Sequence, residues 1–325
     1  MSEQTPCPPW FHNDAEKLLA AAGAKRLHHA LLVTGAESIG KQLFANWLSE
    51  VLLCESPTAE RACGHCSACR QWLADAHADY AVLKPEGAGA MIKIDAVRQL
   101  VDWLQLTANA NSYRVALICQ ADTLNHQAAN SLLKTLEEPA DNAVLILCTS
   151  RPGRLPATVR SRCQRIMLHM NDVPAAITWL GSQNVASAEQ ALAEANNAPL
   201  RALENQNEDK QAEQALLLKA WSELFMHKGS VGRIAESLSD IDTSECLRHF
   251  SSWCVMAAKS RAKVSVPANP AIADMLQTTR DCLTDEQWFT LHERLLQLHR
   301  SDSTSFKTKA VLEGVFADIR CTINA

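Results

Sequence analysis

Ala30-Leu31-Leu32-Val33-Thr34-Gly35-Ala36-Glu37-Ser38-Ile39-Gly40-Lys41-Gln42 is the stretch on which the fold class turns. Its first five residues are almost continuously apolar, the pattern of a short strand buried on both faces. It then passes through Gly35 and Gly40 into Lys41 to Leu53. There Leu43, Phe44, Trp47, Leu48, Val51 and Leu52 recur at the spacing of one helix face. Strand, glycine-bearing turn, lysine and helix, in that order, are the setting of a phosphate-binding loop. The glycines let backbone amides approach phosphate oxygens, and the lysine meets the β/γ oxygens. Gly35, Gly40 and Lys41 are therefore the candidate nucleotide-binding residues.

Outward from this stretch the alternation continues. Met91-Ile92-Lys93-Ile94 is predicted as a strand, and Asp95 as the N-cap of a helix carrying Val97, Leu100, Val101 and Leu104. Val115 to Cys119 and Val144 to Cys148 are apolar enough for buried strands, and Arg165 to Leu168 for a shorter one. Between them Ala129, Leu132, Leu133 and Leu136 form a helix face that Pro139 ends. Buried strands separated by helices predict an α/β domain built on a parallel sheet covered on both faces, over residues 1–170. Beyond that the strands stop. Pro174 to Leu203 contains short helices rich in small residues, and Asn205 to Glu213 is polar enough to mark a domain boundary. This gives a small helical domain at 171–207 and an all-α domain at 208–325. The last carries the stripes Leu216, Leu217, Ala220, Leu224 and Trp288, Leu291, Leu295, Leu298, with Val264 to Pro270 as a loop. These stripes are read as core.

The composition narrows the class. Of 325 residues, 47% are hydrophobic and 21% charged, which excludes a disordered or fibrous chain. The net charge of −5 argues against a protein that coats nucleic acid by itself, since such proteins carry a basic excess. The polar opening Met1 to Pro6 lacks a secretory pattern, and no apolar run approaches a membrane span. A cytoplasmic location with no membrane partner is expected, where thiols stay reduced.

In that setting 12 cysteines need a reason. Cys63-Gly64-His65-Cys66-Ser67-Ala68-Cys69 holds three of them at two-residue gaps, with Cys54 nine positions upstream. Such gaps let thiolates close around one tetrahedral ion at ~2.3 Å, and Gly64 suits the tight turn. Cys54, Cys63, Cys66 and Cys69 are the candidate ligands of a structural Zn²⁺, a closed four-sulfur site at about 54–69. An iron–sulfur cluster is the lesser rival. His65 is expected to point away. Cys119, Cys148 and Cys163 are read as buried thiols, and Trp10 and Phe11 as anchors of the N-terminal segment.

The phosphate loop is degenerate. A working loop follows its lysine with Ser or Thr, whose hydroxyl ligates Mg²⁺; here Gln42 stands there. Glu37 places an anion inside the loop. The strand ending at Cys119-Gln120 lacks the acidic pair that holds Mg²⁺ and polarises water, and Asp122 is a weak substitute. ATP hydrolysis in this site is disfavoured, and nucleotide binding is left open.

At this point the residues resemble a known family. Asn130-Ser131-Leu132-Leu133-Lys134-Thr135-Leu136-Glu137-Glu138-Pro139, the cysteine module and Ser161-Arg162-Cys163 are similar to segments of the bacterial clamp-loader subunits of DNA polymerase III, members of the AAA+ class. The motifs together cover about residues 28–168. The resemblance implies a RecA-like AAA+ domain with a zinc module, a small helical lid and an all-α C-terminal collar. It implies a role in loading the sliding clamp on primed DNA, within a ring with gamma/tau and delta subunits. Catalytic gamma/tau subunits carry Lys-Ser/Thr and Asp-Glu where this chain has Lys41-Gln42 and Cys119-Gln120. In the lid, catalytic relatives place a sensing arginine; with Pro199 setting the register, Leu200 falls there and Arg201 is one off, so no lid sensor is expected.

The resemblance also changes the weight of Arg162. A lone arginine in the basic run Arg151 to Arg165 is ordinarily a solvated or ion-paired side chain. In this family the Ser-Arg-Cys arginine reaches ATP bound by the neighbouring subunit, so Arg162 is the candidate catalytic residue, acting in trans as an arginine finger. Two rivals stand beside this reading: an active ATPase of the gamma/tau type, and a stand-alone zinc-dependent DNA-binding protein.

Overall fold

The computed structural model describes residues 6–58, 60–87, 90–106, 113–264, 266, 269–300 and 308–323. Contacts divide the chain into two units. One runs to Trp179 and takes in Asn197–Leu200; the other comprises Leu180–Asn196 and the chain from Arg201 onward. Residues 171–207 are thus shared between the two.

The first unit is built on five parallel strands: β1 Ala30–Thr34, β2 Tyr80–Leu83, β3 Arg114–Ile118, β4 Ala143–Thr149 and β5 Gln164–Met167. Their spatial order is β2-β3-β4-β1-β5. Every residue of β1, β3 and β4 is buried, which is why these three read as continuous apolar runs. β1 lies between β4 and β5, with Leu31 opposite both Ile146 and Gln164. Because all strands run the same way, the loops after β1, β3 and β4 meet at one edge of the sheet. That edge is where open α/β sheets bind ligands. Gly35 is fixed there by close approach: a Cβ on it would stand 2.6 Å from the Leu168 carbonyl oxygen. Gly40 has φ +100°, a backbone that side-chain-bearing residues rarely adopt, and it starts the helix Lys41–Leu53.

The expected strand at Met91–Ile94 does not form. Ile92 makes a single bridge to Leu124, a turn residue, so no ladder can grow, and Met91 is exposed. The edge position belongs instead to β2, which the sequence reading missed. Its four residues, Tyr80-Ala81-Val82-Leu83, are apolar, but the run is short and none of them is fully buried. The following helix starts at Ile94 with Lys93 at its cap, and Asp95 sits in the first turn, where its charge suits the helix dipole. The helix face Ala129 to Leu136 is split into His126–Ser131 and Leu133–Glu137. The Leu132 amide bonds back to the Ala129 carbonyl, a three-residue step that tightens the turn. Glu138 is already outside the helix, as expected ahead of Pro139.

The second unit is helical throughout its described residues. Helices Glu208–Phe225, Thr243–Arg261, Asp285–Arg300 and Thr308–Ile323 supply most of its core. Trp221 stands at the centre, stacked on Trp288 at 5.9 Å and bonded through its indole N–H to Thr279 Oγ1 at 3.3 Å. In the stripe Trp288, Leu291, Leu295, Leu298 the first three are buried and Leu298 is partly buried against the core; in the earlier stripe Leu217, Ala220 and Leu224 are buried but Leu216 is exposed. Among the described residues, no helix is long and apolar enough to cross a membrane.

Candidate functional site

The four predicted cysteine ligands converge. The Sγ atoms of Cys54, Cys63, Cys66 and Cys69 all lie within 4.8 Å of one another. Cys54 to Cys66 is 4.0 Å and Cys63 to Cys69 is 3.9 Å. A tetrahedron with Zn–S bonds of ~2.3 Å has edges of ~3.8 Å, so the cage has the size of a four-thiolate site. Cys54 ends the helix Lys41–Leu53, and Cys66 caps the helix Ser67–Leu73. Gly64, at φ +80°, lies on the turn between Cys63 and Cys66.

The backbone also prepares the sulfurs for negative charge. Each accepts at least one main-chain N–H: Cys54 from Cys63 at 3.2 Å, Cys69 from Gly64 at 3.4 Å, Cys63 from Cys66 at 3.4 Å, and Cys66 from Cys69 at 3.4 Å. Bonds of this kind favour thiolate over thiol. At Cys63 the amide of His65 leads in bringing the thiol down to about 6, while burial pushes Cys54 and Cys69 up. A cation held at the centre would offset the cost of ionising those two thiols. His65 stands outside the cage, with Nδ1 2.9 Å from its neighbour's carbonyl at Cys63. The donor set fits a structural Zn²⁺: four sulfurs and no open position.

At the sheet edge, Lys41 Nζ donates to the Ala36 carbonyl at 2.6 Å and to Ser150 Oγ at 2.8 Å. Glu37 is 3.5 Å from Arg151. The Ile39 carbonyl accepts from the Trp10 indole at 2.8 Å, and the Ser38 carbonyl from the Leu200 amide at 3.1 Å. Trp10 and Phe11 are buried, Trp10 edge-on to Trp179 at 5.2 Å, so both anchor the N-terminal segment against the loop. Cys119 is buried just past β3 with its thiol raised to about 11 by burial, and Cys163 is raised to the same value for the same reason. Cys148 is likewise pushed up by burial. Asp122, the weak substitute acid, accepts from Thr149 Oγ1 at 2.6 Å. His28 and His29 stack at 4.3 Å, and His29 Nε2 lies 3.0 Å from the Leu136 carbonyl oxygen.

Arg162 follows the short helix Ala157–Arg160 and is half-exposed. Its guanidinium meets Glu137 Oε1 from Nη2 at 2.6 Å and from Nε at 2.9 Å, and its Nη1 donates to the Thr158 carbonyl at 3.0 Å.

The family model described as "DNA polymerase III, delta subunit" matches residues 12–172. The chain is 32% identical over 250 residues to DNA polymerase III subunit delta' of Pseudomonas aeruginosa, covering 75% of each chain. The chain belongs to the DNA polymerase III subunit delta' family. Its match to the delta' subunit of Escherichia coli is 40% identical over 184 residues, 57% of this chain and 55% of that one. The tau subunit of Escherichia coli is 34% identical over 148 residues, 46% of this chain and 23% of tau.

Three features of this delta'-family chain escaped the sequence reading. Glu137 as the partner of Arg162, Ser150 as the partner of Lys41, and the Trp10 indole on the loop carbonyl of Ile39 all join residues far apart in the chain. The sequence held one faint signal for the first: Glu137 and Arg162 both fall in segments that carried the family resemblance.

Proposed function

We propose that this chain is a clamp-loader subunit that does not hydrolyse ATP itself and completes a neighbour's ATP site with Arg162. The observation that carries the reading is the contrast between its two sites. At its own loop, Lys41 is engaged by Ala36 and Ser150, Gln42 replaces the Mg²⁺-binding hydroxyl, and Cys119-Gln120 offers no carboxylate. At the other, Arg162 presents a half-exposed guanidinium held by surrounding oxygens. A fixed positive charge of this kind stabilises the charge that develops on a transferring γ-phosphoryl group, and a finger supplied in trans is worth ~10³–10⁵ in rate. It needs no active site in the chain that provides it.

In this reading the chain works in the cytoplasm within a ring of gamma/tau and delta subunits, whose contacts are heterologous. The assembled ring, and not this chain of net charge −5, grips primed DNA and opens the sliding clamp. Cys54, Cys63, Cys66 and Cys69 hold Zn²⁺, which staples the turn between two helices and takes no part in chemistry. The test is reconstitution with gamma/tau and delta subunits. Arg162→Ala is expected to assemble normally yet to lower DNA-stimulated ATP hydrolysis and clamp loading. Unchanged hydrolysis and loading would rule the finger out.

A further inference from the structure

We infer that Glu137 is the positioning residue for Arg162, holding the guanidinium in the pose in which it meets a neighbour's γ-phosphate. The inference rests on the trans role proposed for Arg162 and adds the group that aims it.

The geometry is specific about which part of the guanidinium is held. An arginine fork has five N–H groups, one on Nε and two on each Nη. Glu137 Oε1 takes the Nε edge, through Nε at 2.9 Å and Nη2 at 2.6 Å. The Thr158 carbonyl takes one N–H of Nη1 at 3.0 Å. These bonds use the Nε edge and one N–H of Nη1, so the terminal nitrogens keep donor capacity for the oxygens of a phosphoryl group. The carboxylate therefore occupies the side of the fork and leaves its end.

Both partners stand on fixed ground. Glu137 is the last residue of the helix Leu133–Glu137, whose Leu136 side chain is buried and whose Leu136 carbonyl faces His29. Arg162 follows the helix Ala157–Arg160, whose Val159 is buried in the same apolar cluster as Leu136. The Arg162 amide bonds to the Val159 carbonyl at 3.1 Å. The backbones are thus set by packing, and what the ion pair adds is the direction of a long, flexible side chain. The pair itself is open to water, with side chains 37% and 53% exposed, so it stabilises the fold little and acts on geometry. The local field makes such an anchor useful. Arg151, Arg154, Arg160 and Arg165 share the segment, so an anion beside Arg162 also offsets the local excess of positive charge. A displacement of 1 Å at a catalytic group can cost ~10²-fold in rate.

The experiment uses the reconstituted complex with Glu137→Ala, Glu137→Gln, Arg162→Ala and the double variant, measuring kcat and KM for DNA-stimulated ATP hydrolysis together with assembly by gel filtration. Glu137→Ala is expected to reproduce most of the kcat loss of Arg162→Ala, with KM for ATP within about twofold of wild type, because the neighbour's own loop binds the nucleotide. Glu137→Gln keeps an acceptor oxygen and should recover part of that loss. The double variant should be no worse than Arg162→Ala alone, since Glu137 acts only through Arg162. Wild-type hydrolysis in Glu137→Ala beside a defective Arg162→Ala overturns this inference and leaves the finger standing. So does faster hydrolysis, or a loss in the double variant that multiplies the two single losses. Wild-type hydrolysis in Arg162→Ala removes the finger and this inference with it. Should Glu137→Ala fail to assemble, Glu137→Gln decides: unimpaired kcat beside a defective Arg162→Ala overturns the inference.

Discussion

Lys41 Nζ lies 2.8 Å from Ser150 Oγ, which ties the loop after β1 to the residue that follows β4. The same ammonium donates to the Ala36 carbonyl at 2.6 Å. The lysine of the candidate phosphate loop is here bonded within the fold.

This sets the expectation for the isolated chain with Mg²⁺-ATP. Phosphate release should stay at background, and Gln42→Thr should leave it there. Restoring the hydroxyl supplies one Mg²⁺ ligand, while Cys119-Gln120 still provides no carboxylate. A hydrolysis rate that disappears in Lys41→Ala would show that the site works.

The cysteine cage predicts a metal stoichiometry. Purified protein should carry about one zinc per chain, read by elemental analysis, and Cys63→Ser or Cys69→Ser should lose it. Binding requires four deprotonated sulfurs, so metal retention should fall as pH is lowered, protons competing with the ion. Melting temperature should drop with the metal. Full stability in a metal-free chain would argue against a structural role.

Arg114 and Asp79 form an ion pair at 2.7 Å with both side chains nearly sealed from water, 7% and 4% exposed. Arg114 also donates to the Trp103 carbonyl at 2.9 Å and lies over the Trp103 ring. Asp79→Ala would strand a buried cation and should cost about 3–5 kcal/mol in urea unfolding. Replacing both partners by apolar residues of similar volume should cost much less. Equal losses in the single and double variants would mean that packing, not charge, is what matters there.

Glu245 predicts an acid dependence. Burial works to raise its carboxyl, but bonds from His249 and Arg248 outweigh burial and bring it down to about 2. A carboxylate depressed in the folded state adds stability above its unfolded value of about 4.5, and that stability fades as pH falls toward 2. Stability should therefore decline between about pH 5 and pH 2, and Glu245→Gln should flatten that slope. An unchanged slope in the variant would assign the decline to other groups.

Much of the fold was legible because its signals are local. β1, β3 and β4 are buried on both faces, so their apolar runs are continuous and the parallel sheet can be read from them. The cysteine cage was legible for the same reason: three of its four sulfurs lie within seven residues. At the two partly buried edges of the sheet the reading was uneven: β5 was found and β2 was missed. β2, at the sheet edge, is a run of only four apolar residues, Tyr80-Ala81-Val82-Leu83, and was passed over, while Met91–Ile94 looks like a strand but pairs only through the single bridge from Ile92 to Leu124.

The sequence by itself determined the class of the first unit, the four cysteines that converge, the presence of Gln42 and Cys119-Gln120 where a hydroxyl and an acidic pair were looked for, and Arg162 as the residue to test. All of these depend on residue identity or short spacing. Only the tertiary structure decided what Lys41 and Arg162 touch. Ser150 is 109 positions from Lys41 and Glu137 is 25 from Arg162. No period or local propensity links such pairs. Strand order and helix packing bring them together, and the pairing of long charged side chains follows from where the backbone has already placed them.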